Sequence, residues 1–373
     1  MGGPRMAAAG VDIVVRSEDM AVMGFTEIVR HLPRIYAGFR KLKRVLRERR
    51  PTVAVLIDFP EIHFRLAKEL HRLGIPVIYF VSPQLWAWKQ HRIRLVRQFV
   101  KRMLVIFPFE ESFYRERGIE AEFVGHPLAD LSPPAVTREQ FAAENGFDAC
   151  KIWIGLLPGS RLKEIETNLP QMLEAAWDLH SPDPPGTNPE ETYEFVIPLA
   201  PTLDAAQRKV VLRVVEKLGG GLPVRLVDDA RAALFHARAS VVASGTATVE
   251  AALIGNPFVV VYRVSRLTYA IARRLVKVPH VAMANLFAGK RVVPELIQHD
   301  FTAANIVQHL RPLLPDGPAR ESMMKELGAI GEALHVHTAA GQGNDLGAIE
   351  TVADLVAREI EAAYPAAQEA AQS

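Results

Sequence analysis

Cysteine is almost absent. Among 373 residues only Cys150 carries a thiol, which excludes an internal disulfide framework and zinc–thiolate sets and suits a reducing compartment. Long apolar runs are missing as well: nothing approaches the ~18 to 20 consecutive apolar residues of a membrane span. The N-terminal MGGPRMAAAG has no apolar core behind a charged region, so it does not read as a signal peptide. Neither sign of charge dominates, because 44 Lys and Arg face 42 Asp and Glu for a formal net charge of +2. Partners must therefore be argued from where charge sits. There is no internal repeat, no Asp-x-Asp pair to hold a divalent ion, and the twelve histidines are scattered, so a metal-independent chemistry without cofactor is expected. His335 and His337, although close together, read as surface residues.

What is present is an ordinary globular composition, 49% apolar and 23% charged, at a length that suits two domains of ~150 residues. Short apolar runs rich in β-branched residues alternate with helical patterns, the signature of an α/β fold with parallel sheets. Strands are predicted at Val53–Ile57, Val77–Phe80, Met103–Ile106, Ile152–Leu157, Glu194–Ile197, Val224–Leu226, Ala239–Ala243 and Phe258–Tyr262. Helices are predicted at Glu61–Leu73, Leu169–Leu179, Thr202–Leu218 and Thr248–Ile254. The strands are near-continuously apolar, as expected where helices cover both faces. Leu131-Ser132-Pro133-Pro134 marks a domain boundary, giving domains 1–134 and 135–340. The remainder, 341–373, holds one amphipathic helix near Gly347–Tyr364, expected to pack back on the first domain, and a fraying Ala/Gln-rich end. Ser181–Glu190, rich in proline, reads as a surface loop.

Two segments of the second domain have the form strand, glycine-containing turn, helix. In IWIGLLPGSR (152–161), Gly159 and Ser160 form the turn and Arg161 adds a planar fork suited to a pyrophosphate. In ASVVASGTATVE (239–250), the turn is Ser244-Gly245-Thr246, and Glu250 stands on an otherwise apolar helix where a carboxylate can bind vicinal ribose hydroxyls. Each turn also has a plainer reading, as a simple connection or as a helix cap formed by Ser and Thr. Two such turns in one domain favour a nucleotide diphosphate site. In the first domain Asp58 ends the strand of VAVLIDFPE. A partly desolvated carboxylate there can serve as general base on a sugar hydroxyl, or it can cap the helix that follows. His126, in VGHPLAD, is a weaker candidate, since a lone histidine is more often a turn residue.

Two basic stretches remain. Arg30–Arg50 contains nine Lys or Arg and one acid, Glu48, interleaved with aliphatic and aromatic residues; Ser82–Arg102 contains six basic residues and no acid, with Trp86 and Trp88. They suit an anionic membrane surface or the solvated faces of core helices, and the near-neutral total argues against nucleic acid.

These segments, in order, resemble the lipid-A-disaccharide synthase family. The resemblance covers Met1 to about Leu314. It rests on GGPRM, AVMGFTEIVRHLPRI, IDFPE, YFVSPQLWAWKQHR, FPFE, VGHPLAD, LLPGSR, SGTATVE and NLFAGKRVVPELIQ, the last being Asn285–Gln298. It implies two Rossmann-like domains facing across a cleft, the glycosyltransferase B-type fold. The implied reaction joins UDP-2,3-diacylglucosamine to 2,3-diacylglucosamine 1-phosphate, with inversion, to give the β(1→6) disaccharide 1-phosphate and UDP. By motif, Asp58 matches the family's essential aspartate, Arg161 its essential arginine and Asn285 an asparagine beside the donor. The Ser244–Thr246 turn and Glu250 would hold phosphate and ribose. The resemblance also implies a cytoplasmic enzyme docked on the anionic inner leaflet of the inner membrane. Family members open with a strand and a Gly-Glu-x-Ser-Gly-Asp loop ahead of GGPRM. This sequence begins after them, so a first domain truncated at its N-terminus, and a poorly soluble or inactive product, are expected. The alternatives are another nucleotide-sugar enzyme of this fold, such as a 2-epimerase or muramyl-pathway transferase, and an inactive UDP-binding membrane-surface protein.

Overall fold

The computed structural model describes residues 1–17, 25–180, 193–265, 269, 278, 280–335 and 346–372. The loop expected at 181–190, His337 and the start of the 341–373 segment lie outside the described residues. The chain divides into two compact units, Met1–Val124 with Ala348–Ser373, and Gly125–Gly347. The division falls ahead of the Pro133-Pro134 pair that the sequence suggests as a boundary. The residues between belong with the second unit for a physical reason: the His126 amide donates to the Leu334 carbonyl (2.9 Å), and Arg231 donates to the carbonyls of Leu131 and Ser132.

The first unit runs α1 (Pro4–Ala8), α2 (Phe25–Arg49), β1 (Ala54–Ile57), α3 (Pro60–Arg72), β2 (Val77–Phe80), α4 (Ile93–Phe99), β3 (Arg102–Val105), α5 (Pro108–Arg115) and β4 (Ala121–Phe123). Its strands are all parallel in the order β1-β2-β3-β4. Leu70, Val77, Tyr79, Val105 and Tyr114 fill the core between sheet and helices. Burial of one large apolar side chain stabilises by ~1.5–3 kcal/mol, so this apolar cluster is the main support of the unit. Buried Glu69 on α3 takes an ion pair from Lys43 (3.0 Å) and another from Arg47 (2.5 Å), tying α2 down. The C-terminal helix, Ala348–Gln372, is anchored likewise. Its buried Glu359 is held by Lys101 and by Arg102 (3.1 Å), which keep the carboxyl below its ordinary range. The helix runs through the Ala/Gln-rich end expected to fray, since Ala, Gln and Glu are all good helix formers.

At the carboxyl edge of this sheet the loops are knitted together by side chains. Glu61, at the start of α3, accepts from Lys89 (2.9 Å) and from Arg92 (2.8 and 3.0 Å), and the Arg92 bond leads the effects that bring its carboxyl down to about 2. Trp86 Nε1 donates to Glu110 (3.2 Å), and Ser82 shares a 2.8 Å hydrogen bond with the Tyr114 hydroxyl. Four of the six basic residues of the second stretch are therefore paired, Lys89 and Arg92 with Glu61, Lys101 and Arg102 with Glu359, two carboxylates against four cations.

The second unit runs α6 (Arg138–Asn145), β5 (Ile152–Leu157), α7 (Leu162–His180), β6 (Tyr193–Pro198), α8 (Ala205–Gly219), β7 (Val224–Val227), α9 (Ala230–His236), β8 (Ala239–Ala243), α10 (Thr246–Ile254), β9 (Phe258–Tyr262), α11 (Met283–Ala288), β10 (Glu295–Ile297), α12 (Ala303–Leu310) and α13 (Pro318–Leu334). Six parallel strands lie in the order β10-β9-β8-β5-β6-β7. From β5 the chain builds outward through β6 and β7, then returns to the other side of β5 with β8. The pair β5–β8 is thus the topological switch point of the sheet, where open α/β sheets place ligands beyond the strand carboxyl ends. The two strands approach closely: a Cβ on Gly155 of β5 would collide with the Ser240 side chain of β8. A cluster around fully buried Trp153 forms part of the core, and Arg138 lies across its ring, 3.8 Å from the centroid.

Two strands differ from expectation by their existence. Both β4 and β10 have only three residues and each contains a glutamate, too little pattern to read as a strand. Helix α7 starts at Leu162, ahead of the predicted Leu169. Pro170 lies inside the helix and does not open it.

Two stability predictions follow from these contacts. Arg138 donates to the carbonyls of Ala149 (2.9 Å), His236 (2.6 Å) and Lys151 (2.6 Å). Arg138→Ala should leave three acceptors unpaired and lower the stability of the second unit by about 2–4 kcal/mol, read as a shift of the urea midpoint; Arg138→Lys, lacking the planar fork, should recover little. In the first unit, burial pushes the Glu110 carboxyl up from 4.5 to about 8, against the hydrogen bonds from Ser82, Trp86 and Phe107. A value raised on folding gives stability that is full below about pH 4.5 and lost as pH rises through about 8. Melting temperature should accordingly fall across that window, and Glu110→Gln should flatten the fall.

Candidate functional site

The carboxyl end of β5 runs into Pro158-Gly159-Ser160-Arg161. Gly159 has φ +121°, a conformation that favours glycine, and a Cβ there would meet the Glu164 carboxylate at 2.8 Å. The turn is pinned from two sides: buried Asn168 donates to the Pro158 carbonyl (2.9 Å) and Thr202 to the Ser160 carbonyl (3.3 Å). Its charged groups face one another. Glu164, in the first turn of α7, accepts from the Ser160 amide (3.2 Å) and from Arg161 Nη1 (2.5 Å), while the Arg161 side chain stays 56% exposed. A carboxylate thus occupies the anion seat formed by a helix N-terminus and a guanidinium. Tyr262, at the end of β9, belongs to this neighbourhood. Burial raises its hydroxyl pKa, the Glu164 charge adds to the rise and Arg161 opposes it.

The neighbouring strand β8 runs into Ser244-Gly245-Thr246. Gly245 has φ +153° and ψ −162°, a region that only glycine enters readily. It is the N-cap of α10, and no side chain caps this helix. Ser244 and Thr246 therefore do not cap it, contrary to one of the two readings of the motif. Helices α6, α8, α9 and α12 by contrast receive side-chain caps from Thr137, Asp204, Asp229 and Thr302. The positive end of α10 is left to whatever occupies the carboxyl edge. Glu250, one turn further on, is partly buried and makes no hydrogen bond or ion pair among the described residues. Burial raises its pKa, with Arg231 acting the other way. The Gly159–Arg161 and Ser244–Thr246 turns thus follow neighbouring strands at the switch point between β5 and β8, and Glu250 lies one turn into α10 with Arg231 and Asp229 as its charged neighbours.

Asn285 is placed differently. It is fully buried, its Oδ1 accepts from the Val292 (2.7 Å) and Val293 (2.8 Å) amides, and its Nδ2 donates to the Val293 carbonyl and to Glu295. With both amide atoms engaged inside the fold, Asn285 shapes its loop. Glu295, which no pattern in the sequence singles out, is the hub of that loop and also accepts from the Val281 and Ala282 amides. His126 is a turn residue. It is buried, accepts from the Leu128 amide at 3.1 Å, and burial brings its pKa down to about 4, leaving it neutral.

In the first unit Asp58 follows β1 at the carboxyl edge. Its backbone amide completes the sheet ladder to the Phe80 carbonyl (2.9 Å), and its φ of +50° turns the chain sharply. Helix α3 is N-capped by Phe59 without any side-chain hydrogen bond, so Asp58 is not its cap. The Asp58 side chain is exposed, which corrects the expectation of a partly desolvated carboxylate, and it makes no contact with a cation among the described residues. Both Tyr79 Oη and His63 Nδ1 bond to its carbonyl at 2.6 Å, a constraint with no signature in the sequence.

Comparison with known proteins bears on this arrangement. A family model described as lipid-A-disaccharide synthetase matches residues 1–337. The lipid-A-disaccharide synthase of Acidobacterium capsulatum is 58% identical over 339 residues, covering 88% of this chain and 82% of that protein. Its counterpart in Koribacter versatilis is 49% identical over 360 residues, covering 96% and 88%. Among solved structures, the glycotransferase of kitacinnamycin aligns with a TM-score of 0.59 at 16% identity, over 96% of this chain and 90% of that one. The calicheamicin glycosyltransferase CalG4 aligns at 0.53 and 18%, over 96% and 89%. The Neisseria meningitidis UDP-GlcNAc 2-epimerase bound to UDP-GlcNAc aligns at 0.53 and 16%, over 81% and 80%. At these identities the solved structures share the two-domain Rossmann-like fold and nothing more, whereas the sequence relatives settle the family. The chain belongs to the lipid-A-disaccharide synthase family.

Proposed function

We propose that this hexosyltransferase moves a diacylglucosamine residue from UDP-2,3-diacylglucosamine to 2,3-diacylglucosamine 1-phosphate. The acceptor's 6-hydroxyl oxygen attacks the anomeric carbon, the bond from that carbon to the UDP oxygen breaks, and the configuration inverts. The products are the β(1→6) disaccharide 1-phosphate and UDP. Asp58, at the carboxyl edge of β1 and not engaged as the cap of α3, takes the hydroxyl proton. Arg161 and the amides of the two turns stabilise charge developing on the diphosphate. Glu250 binds the ribose hydroxyls. No metal is assigned a part. The single observation that carries the reading is the pairing of an uncapped helix N-terminus after β8 with the Gly159–Arg161 turn after β5, at the one switch point of the sheet.

For the lipid-facing part, α2 presents Tyr36, Arg40, Lys41 and Arg44 on one open concave surface, with Tyr36 62% exposed. A basic helical face with an exposed aromatic suits the anionic inner leaflet on the cytoplasmic side. No helix among the described residues is long and apolar enough to cross a membrane.

Arg161→Ala should lower turnover, measured as UDP release, by ~10²-fold or more, and a change under threefold would count against the diphosphate role. Turnover should persist in excess EDTA; its loss there would overturn the metal-free assignment. A diphosphate entering the turn must displace Glu164 from Arg161. Glu164→Gln should therefore tighten UDP binding by about two- to fivefold in calorimetry, the scale of one exposed ion pair.

A further inference from the structure

Three non-glycine residues follow strands in the left-handed conformation: Asp58 after β1 (φ +50°), Val81 after β2 (φ +62°) and Gln298 after β10 (φ +55°). The Asp58 position differs from the others in one respect. Phe59 is left-handed too, at φ +49°, so two consecutive side-chain-bearing residues sit in a region that L residues avoid. Aspartate tolerates that region better than most residues, but phenylalanine does not. Such a conformation persists only where the surroundings over-determine it.

The surroundings do so through one atom. The Asp58 carbonyl oxygen accepts from Tyr79 Oη and from His63 Nδ1, both at 2.6 Å. Tyr79 is fully buried in β2, and His63, on the first turn of α3, is 6% exposed. Since a carbonyl can only accept, His63 must carry its proton on Nδ1. The His63 ring meets the edges of Tyr79 (centroids 6.2 Å apart, 76°) and of Phe59 (5.9 Å, 85°), so each donor is held by the other. The Ile62 and His63 amides close the bend by donating to the Phe59 carbonyl at 3.3 and 3.1 Å. The backbone on either side of the Asp58 side chain is thereby fixed, while the carboxylate itself stays exposed.

We propose that Tyr79 and His63 are positioning residues for Asp58: by clamping its carbonyl they hold the Asp58–Phe59 bend and present the carboxylate in one orientation. The inference rests on the reading of Asp58 as general base. Neither residue touches substrate in this account. They act on the rate of proton transfer, not on donor binding.

The test is a set of steady-state measurements on Tyr79→Phe, His63→Leu, His63→Asn and Asp58→Asn, with Tyr79→Phe also made in the Asp58→Asn background. Tyr79→Phe and His63→Leu should each lower kcat by roughly tenfold while KM for the donor and the affinity for UDP stay within twofold. His63→Asn, whose amide can donate from nearly the Nδ1 position, should regain most of the loss. In the Asp58→Asn background Tyr79→Phe should change turnover by less than twofold, because the group it orients is already gone. A purely structural role would instead lower turnover by the same factor in both backgrounds, and that result would overturn the proposal. So would a Tyr79→Phe enzyme with unchanged kcat alongside an Asp58→Asn enzyme with almost none. If Asp58→Asn itself keeps wild-type turnover, the assignment of the base falls, and the positioning role falls with it.

Discussion

Positive electrostatic potential at the carboxyl edge of a parallel sheet is the constraint on which the second unit is built. Peptide dipoles accumulate at a helix N-terminus only if the chain leaves a strand, turns within a few residues and starts the helix at once. Both candidate turns obey that rule at neighbouring strands, and both need glycine to do so, Gly159 at φ +121° and Gly245 at φ +153°. What distinguishes them is how the potential is met. After β8 no side chain caps the helix; after β5 Glu164 supplies a carboxylate to the Ser160 amide and to Arg161. A site that binds an anion and then releases it with more charge benefits from an internal competitor of this kind, because a seat with no alternative occupant would hold the departing group.

The first unit solves a different problem. Its candidate carboxylate is exposed to water, so what the fold can contribute is direction. Direction costs backbone strain: two consecutive left-handed residues at roughly 1–2 kcal/mol each by general expectation. The offset comes from the buried donors Tyr79 Oη in β2 and His63 Nδ1 in α3, which have no other hydrogen-bond partner among the described residues. The rest of the edge is stiffened in the same manner. Glu61, Lys89 and Arg92 join the first loop to the second, and Trp86 with Glu110 joins the second to the third. These are the very segments that carry the family resemblance in this half of the chain, so much of the motif content there fixes the loops of the sheet edge to one another.

Wherever hydrophobic pattern and turn chemistry determine the outcome, the fold was legible. Every predicted strand is found within a residue or two, since a run such as Phe258–Tyr262 has no other stable fate. The strands that escaped, β4 and β10, are short and carry Glu122 and Glu295, so pairing partners and not pattern make them strands. For the site, residue types at turns were readable, because glycine, serine and arginine at a strand end mean something locally. Partnership was not. Nothing in the sequence says that Asn285 would direct both amide atoms inward to Val292, Val293 and Glu295, or that Tyr79, twenty-one positions on, would reach the Asp58 carbonyl. Glu164 lay between these cases: an acid three residues after Arg161 in a first helical turn is a recognisable pair.

The basic stretches show why a count of charges is a poor guide to a surface. Both looked strongly cationic in sequence, yet four of the six basic residues of the second are paired, Lys101 and Arg102 with buried Glu359 and Lys89 and Arg92 with Glu61. On α2, Lys43 and Arg47 are likewise committed to Glu69 and Arg49 to Asp12. A cation whose partner is a buried carboxylate, as Lys43 and Arg47 on Glu69 and Lys101 and Arg102 on Glu359 are, cannot turn outward without stranding that carboxylate, whereas the pairs on exposed Glu61 and Asp12 are only weakly held. Subtracting the committed residues leaves a far smaller basic face on α2, centred on Arg40 and Lys41 beside exposed Tyr36. The strength of any lipid contact should then follow a few charges plus an aromatic wedge, and not the fifteen basic residues that the two stretches contain.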